Sequence, residues 1–192
     1  MTDKINGEDY DRVMLEALNV LMDYGITSFP IRLDVLANKL HIRLIPYSTL
    51  KNVIYESLLK QDRLFGFCVE KKDTRYGWKS YDLYYNDVDN NCARCRFTIA
   101  HEIGHIVLGH CDKDEIDERD EALADYFAKC LLAPQCIIIS EDLPCAEAIA
   151  DRFGLSLQSS TFWFAATAKR KYSYGNKLFP VEEMFMDSIH QI

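Results

Sequence analysis

No stretch of this chain is apolar for long enough to cross a bilayer as a helix, which excludes a membrane span of that kind. The first residues, Met1 to Asp11, are polar and acidic and do not fit a signal peptide. The seven cysteines are odd in number and show no regular framework, so a disulfide-built scaffold is excluded and a reducing, cytoplasmic setting is expected. Cys92 and Cys95 form a Cys-x-x-Cys, but no second pair stands at zinc-site spacing, and they read as free thiols in a loop. Positive charge is also short. The 22 Lys and Arg face 30 Asp and Glu, a net charge of −8 that argues against general affinity for nucleic acid.

The 192 residues suit one domain, or one domain with a helical extension, and a hydrophobic fraction of 48% is enough for a real core. Tyr10 to Tyr24 repeats apolar residues at helical spacing (Val13, Met14, Ala17, Leu18, Leu21, Met22) and stops at Gly25. Ile31 to Leu40 reads as a second helix and His41 to Pro46 as a half-buried strand. Leu50 to Leu59 is ambiguous and is taken as helix. Leu64 to Glu70 and Lys79 to Asn86 read as strands, with Gly77 in the turn between them. Strands that precede a run of helices predict an α+β domain, a small sheet beside a helical layer. The division expected is 1–134 for the main domain and 135–192 for a C-terminal helical extension packed on it, the two forming one continuous domain as the alternative.

Chemistry concentrates in His101-Glu102-Ile103-Gly104-His105, inside an apolar run from Arg96 to His110 that no proline interrupts. Ile99, Ile103, Ile106 and Val107 give that run a helical stripe. Residues i and i+4 share a helix face, so His101 and His105 can address one metal ion, while Glu102 can reach a water beside it. The bland alternative is a structural helix whose histidines cap or pair with nearby carboxylates. Zinc in a catalytic site takes three protein ligands and keeps one position open. Glu121, a turn and a second helix later, can be the third. Asp125, on the same face as Glu121, can accept the outer N–H of a ligand histidine. Against this, both acids follow an acid-rich stretch and could belong to a solvated face. An extended motif with Gly at 108 and His at 111 is absent, since Leu108 and Cys111 stand there. His110 is expected to end the helix as a cation on its C-terminal dipole. Zinc is preferred for these ligand types, with manganese or iron as alternatives. A second donor to a developing oxyanion is expected from Tyr126 or His110, and the sequence does not choose between them.

Arg96-Phe97-Thr98-Ile99-Ala100 followed by His101 to His110, and Glu121-x-x-Ala124-Asp125-x-Phe127-Ala128-x-x-Leu131-Leu132-x-Pro134, resemble the ImmA/IrrE-type metallopeptidases. Leu83-Tyr84-Tyr85-Asn86 resembles the family's strand that ends in Asn ahead of the motif helix. The match is tight over about 96–134, looser from about 30 to 95, and general beyond. The resemblance implies a zincin-like fold, zinc held by His101, His105 and Glu121, and Glu102 as general base. It also implies a role: hydrolysis of a peptide bond in a helix-turn-helix repressor of a mobile element or stress regulon. Zincin-like enzymes pair an edge strand near the metal with an extended substrate. Tyr81, Leu83 and Tyr85 mark the candidate strand, with ordinary sheet packing as the alternative.

Two rival functions remain. A zincin scaffold could bind or sense a repressor without cutting it, although a purely structural metal site has no need of Glu102. Residues 140–171 could instead form a DNA-reading pair of helices around Gly154, with Lys169, Arg170 and Lys171 as its basic run. Phe162, Trp163, Phe164, Ala165 and Ala166 on its second helix read as core, which counts against that. Ser173 to Ile192 is expected to be a peripheral tail that docks through Phe179, Val181, Phe185 and Met186.

Overall fold

The structure, a computed structural model, describes residues 5–60, 65–72, 79–88, 91–113 and 115–190. Helix α1 (Gly7–Asp23) begins ahead of Tyr10 because Asn6 and Asp9 close a capping box: Asn6 Oδ1 accepts from the Asp9 amide at 2.9 Å, and Asp9 Oδ2 accepts from the Asn6 amide at 3.1 Å. Helices α2 (Leu33–Lys39) and α3 (Asn52–Lys60) and strands β1 (Ile42–Pro46), β2 (Gly66–Lys72) and β3 (Lys79–Tyr85) follow the expected order. Leu64 and Gly77 lie outside the described residues.

The strands form a three-stranded sheet in the order β1-β3-β2, with β1 parallel and β2 antiparallel to β3. Leu83 is opposite Leu44 on one side and Cys68 on the other. This corrects the expectation for Tyr81, Leu83 and Tyr85. Their strand is the middle one, its backbone groups are spent on both neighbours, and it has no edge to offer a substrate. Among the described residues the edge beside the functional helix belongs to β2.

Helix α4 (Cys92–Val107) starts four residues before Arg96 because the Asn91 side chain caps it, accepting from the Arg94 amide at 3.0 Å. Cys92 and Cys95 are therefore helical, not in a loop, and the Cys95 thiol donates to the Asn86 carbonyl at 3.2 Å. Helix α5 (Glu118–Leu132) is capped by Asp117 and Asp120 in a second capping box and packs along α4. Their approach is close: a Cβ on Gly104 would meet Phe127 Cδ1 at 3.0 Å and the Ala124 carbonyl oxygen at 3.2 Å. Gly104, Ala124 and Ala128 thus bring the faces that carry His101, His105, Glu121 and Asp125 together.

Helices α6 (Gln135–Ser140), α7 (Ala146–Phe153), α8 (Leu157–Tyr174) and α9 (Pro180–His190) complete the described chain. Ile137, Ile149, Phe153, Trp163 and Phe185 share one buried cluster with Leu18, Leu21 and Leu131, so the core runs across the expected boundary at 134/135. The tail expected after Ser173 is ordered as α9 and docks through Phe185, with Phe179, Val181 and Met186 partly buried against the core. On α8 the expected aromatic core is corrected. Ser160, Trp163, Thr167 and Arg170 form the buried face, while Phe162, Ala165 and Ala166 are exposed. A run of consecutive apolar residues cannot all face inward on a helix of 3.6 residues per turn. Arg170 makes a buried ion pair with Glu182, and Lys171 meets Asp142 at 2.8 Å at the surface, so of the basic run one member is spent inside the fold and another is paired. Among the described residues no helix is long and apolar enough to cross a membrane.

Candidate metal centre

Helical spacing puts the imidazoles of His101 and His105 on one side of α4, with their Nε2 atoms 3.0 Å apart. From α5, Glu121 brings Oε2 to 3.2 Å from His101 Nε2 and Oε1 to 3.5 Å from His105 Nε2. A tetrahedral zinc site with bonds near 2.05 Å has edges between ligand atoms of about 3.3 Å, so the triangle matches such a site in size. Both outer ring nitrogens are engaged elsewhere, which leaves two Nε2 atoms and a carboxylate aimed at one point. Two imidazole lone pairs face each other stably only with a cation, metal or proton, between them. The residues fit a divalent metal.

His101 Nδ1 lies 2.8 Å from Asp125 Oδ1. Burial alone would lower the His101 pKa, but the hydrogen bond to Asp125 and the charges of Glu102, Asp125 and Glu121 outweigh it and raise it. For Asp125, burial is the largest single influence and pushes up, but the His101 bond and the charges of His101, Lys129 and His105 together pull further down, so its carboxyl stays below the usual range. His105 is almost fully buried, and burial together with its two histidine neighbours depresses its pKa to about 3. It is neutral, as a metal ligand must be.

The site opens through an exposed Glu121 into a cleft of about 530 Å³ lined by Phe65, Gly66, Arg94, Phe97, Thr98, His101, Glu102 and Asp125. Glu102 is buried, 8% exposed, and borders the cleft beside His101. On β2, the contact with Cys111, burial and the nearby Glu102 carboxylate push the Cys68 thiol pKa up. Cys111 stands with its sulfur 3.0 Å from that of Cys68 and is not among the converging ligand atoms. The cleft continues past Arg94, Phe97 and Asp125 into a groove against the start of α8, where Leu155, Ser156 and Phe162 line it.

Neither residue expected to stabilise an oxyanion faces this cleft. Tyr126 lies on the other side of α5, edge-on to Tyr10 at 4.7 Å and Trp163 at 5.8 Å, and burial pushes its phenol pKa up. His110 is also misjudged as a cationic helix end. Helix α4 stops at Val107, Gly109 takes φ +74°, and the short 3-10 turn His110–Asp112 folds His110 back beneath His105. Burial lowers the His110 pKa and keeps it neutral. Its Nδ1 is 3.0 Å from His105 Nδ1, and its Nε2 is 3.4 Å from Asp120 Oδ1. The glycine after the helix was a readable signal for a turn here, but no local pattern connects His110 to Asp120. Phe65, Gly66 and Arg94, which wall the cleft, were equally silent.

No curated protein matches the chain. The Peptidase_M78 family model, described as the IrrE N-terminal-like domain, matches residues 53–161. That span is more than half of the chain and holds every side chain of the cleft, so the protein belongs to this family of metallopeptidase-type domains.

Proposed function

We propose that the protein is a zinc-dependent endopeptidase of the cytoplasm that hydrolyses a peptide bond in a helix-turn-helix repressor of a mobile element or stress regulon. The observation that carries the reading is the convergence of His101, His105 and Glu121 with a buried Glu102 at their side, on one open cleft. Zinc suits two imidazoles and a carboxylate, and when bound it supplies Lewis acidity toward a water and a peptide carbonyl.

The chain's own residues supply the rest. Asp125 holds His101 with its Nε2 free for a ligand role. Glu102 takes the proton of the attacking water and passes it to the leaving amine nitrogen, which gains a hydrogen as the C–N bond breaks. Burial keeps bulk water from competing for that carboxylate. The edge of β2 away from β3, which pairs with no strand among the described residues and reaches the cleft at Gly66, is suited to receive an extended peptide backbone by strand addition. An extended cut site in a folded repressor must be a loop or linker. The repressor itself is inferred from the family resemblance.

A binding or sensing role without cleavage has no use for Glu102. A DNA-reading role is disfavoured by the burial of Arg170 and the pairing of Lys171. The test is elemental analysis of untagged protein, followed by incubation with a candidate repressor and mass spectrometry of the products. Near-stoichiometric zinc and a defined cut that Glu102→Gln abolishes are expected. A Glu102→Gln protein that cuts at the wild-type rate rules the mechanism out.

A further inference from the structure

The two histidines of the proposed metal centre do not have the same backing. His101 leans directly on a carboxylate. His105 leans on a second imidazole, His110, and the carboxylate, Asp120, stands one ring further away. His105, His110 and Asp120 are 2%, 3% and 4% exposed. The far end is closed by Lys113, whose Nζ lies 2.6 and 2.7 Å from the two Asp120 oxygens. The row therefore runs from the metal position through two buried rings to a carboxylate whose charge is balanced near the surface.

Proton placement along this row has two solutions. In one, His105 carries its proton on Nδ1 and donates to His110 Nδ1. His110 then carries its own proton on Nε2 and points it at Asp120. In the other, His110 donates from Nδ1, which forces the His105 proton onto Nε2. That proton would sit in the position of the ligand lone pair, and His110 would turn a bare lone pair toward the Asp120 carboxylate. At 3.4 Å the contact is long for a hydrogen bond, yet its sign is decisive: N–H toward carboxylate attracts, lone pair toward carboxylate repels. Asp120 selects the first solution.

We propose that His110 is a positioning residue for the metal centre, holding His105 as the Nδ1–H tautomer with Asp120 as the terminal acceptor. The inference rests on reading His101, His105 and Glu121 as ligands. The reason for an imidazole in this place is electrostatic. Glu102, Glu121 and Asp125 already put three carboxylates around the centre, and a fourth in direct contact with buried His105 would add an uncompensated charge. A neutral ring orients the ligand equally well and moves the charge out to Lys113.

The test has two parts. Long-range proton–nitrogen correlation spectra of metal-free protein labelled at histidine report each ring's tautomer without any variant in the measured sample. His105 as Nδ1–H and His110 as Nε2–H are expected, and His105 as Nε2–H overturns the proposal. Zinc affinity is then measured by competition with a chromophoric chelator. His110→Leu is expected to bind zinc about 10- to 100-fold more weakly. His110→Asn, which restores an acceptor near the Nδ1 position, is expected within about threefold of wild type by the same argument. Thermal melting of the metal-free variants shows whether the leucine protein is folded, and if it is not, the spectra decide. Wild-type zinc affinity that is unchanged in a folded His110→Leu overturns this role alone. A wild-type protein with no zinc affinity overturns the metal reading and the role together.

Discussion

His101 and His105 stand one helical turn apart, address the same point with the same atom, and live in opposite electrostatic surroundings. His101 is partly open, touches Asp125 and faces two more carboxylates, so its proton affinity rises. His105 is sealed beneath the helix against two other imidazoles, so its proton affinity collapses. One face of a helix can therefore present two chemically identical ligands that differ in everything behind them. The open one is backed by charge, which also makes it sensitive to what enters the cleft. The buried one is backed by a neutral ring, which keeps charge out of the core.

The largest effect should fall on the residue between them. Glu102→Gln is expected to retain zinc and to lose about a thousandfold or more in cleavage, since neither histidine, each committed at both nitrogens, can replace the base. Single-turnover cleavage with zinc content checked by elemental analysis decides this. Next is the charged backing. Asp125→Ala is expected to weaken zinc about a hundredfold, the upper end for an outer partner of a ligand histidine. Equal losses in Asp125→Ala and His110→Leu, measured by the same chelator competition, would erase the difference drawn between the two histidines.

A smaller effect should come from moving both backings at once. Gly104→Ala places a methyl 3.0 Å from Phe127 Cδ1 and 3.2 Å from the Ala124 carbonyl, so α4 and α5 must part slightly. A cost of about 1–3 kcal/mol is expected in urea unfolding, together with weaker zinc binding, because Glu121 and Asp125 ride on α5.

The smallest and most diagnostic effect is on pH dependence in the metal-free protein. The His101 pKa is raised from 6.5, so its stabilisation is fully present below that value and is lost as pH rises through the higher folded value. The His105 pKa falls from 6.5 to about 3, so below 6.5 the unfolded chain takes up a proton that the folded one refuses, and stability drops as pH falls toward about 3. Between pH 7.5 and 5, urea midpoints should fall less for His105→Gln than for wild type, and more for His101→Gln. Shifts of the same sign in both variants would contradict the contrast.

How much of this could be read beforehand follows from range. His101, Glu102 and His105 lie within five residues, and Glu121 and Asp125 lie within five more, so helix periodicity alone placed each set on a face. The order of strands and helices, and hence the α+β class, followed from patterns of the same local kind. The misreadings of the substrate strand and of His110 involve contacts that no local pattern encodes. The family resemblance offers β3 as the edge strand, but pairing with β1 and β2 makes it the middle one. The aromatic run on α8 looks like core residue by residue, but the packing of α6 and α7 against that helix selects Trp163 and leaves Phe162 out.

By itself, then, the sequence determined that two helices would each carry a pair of metal-competent side chains at i and i+4 spacing, because the helix repeat is a property of the backbone and needs no partner. Only the tertiary structure decided which surface sits behind each pair. The outer nitrogen of His101 meets Asp125, and that of His105 meets His110 and, through it, Asp120. It also decided that β2, not β3, borders the cleft. Those choices depend on how closely α4 and α5 approach at Gly104 and on where the chain doubles back at Gly109. Such packing terms come into being only when segments distant in sequence are pressed together.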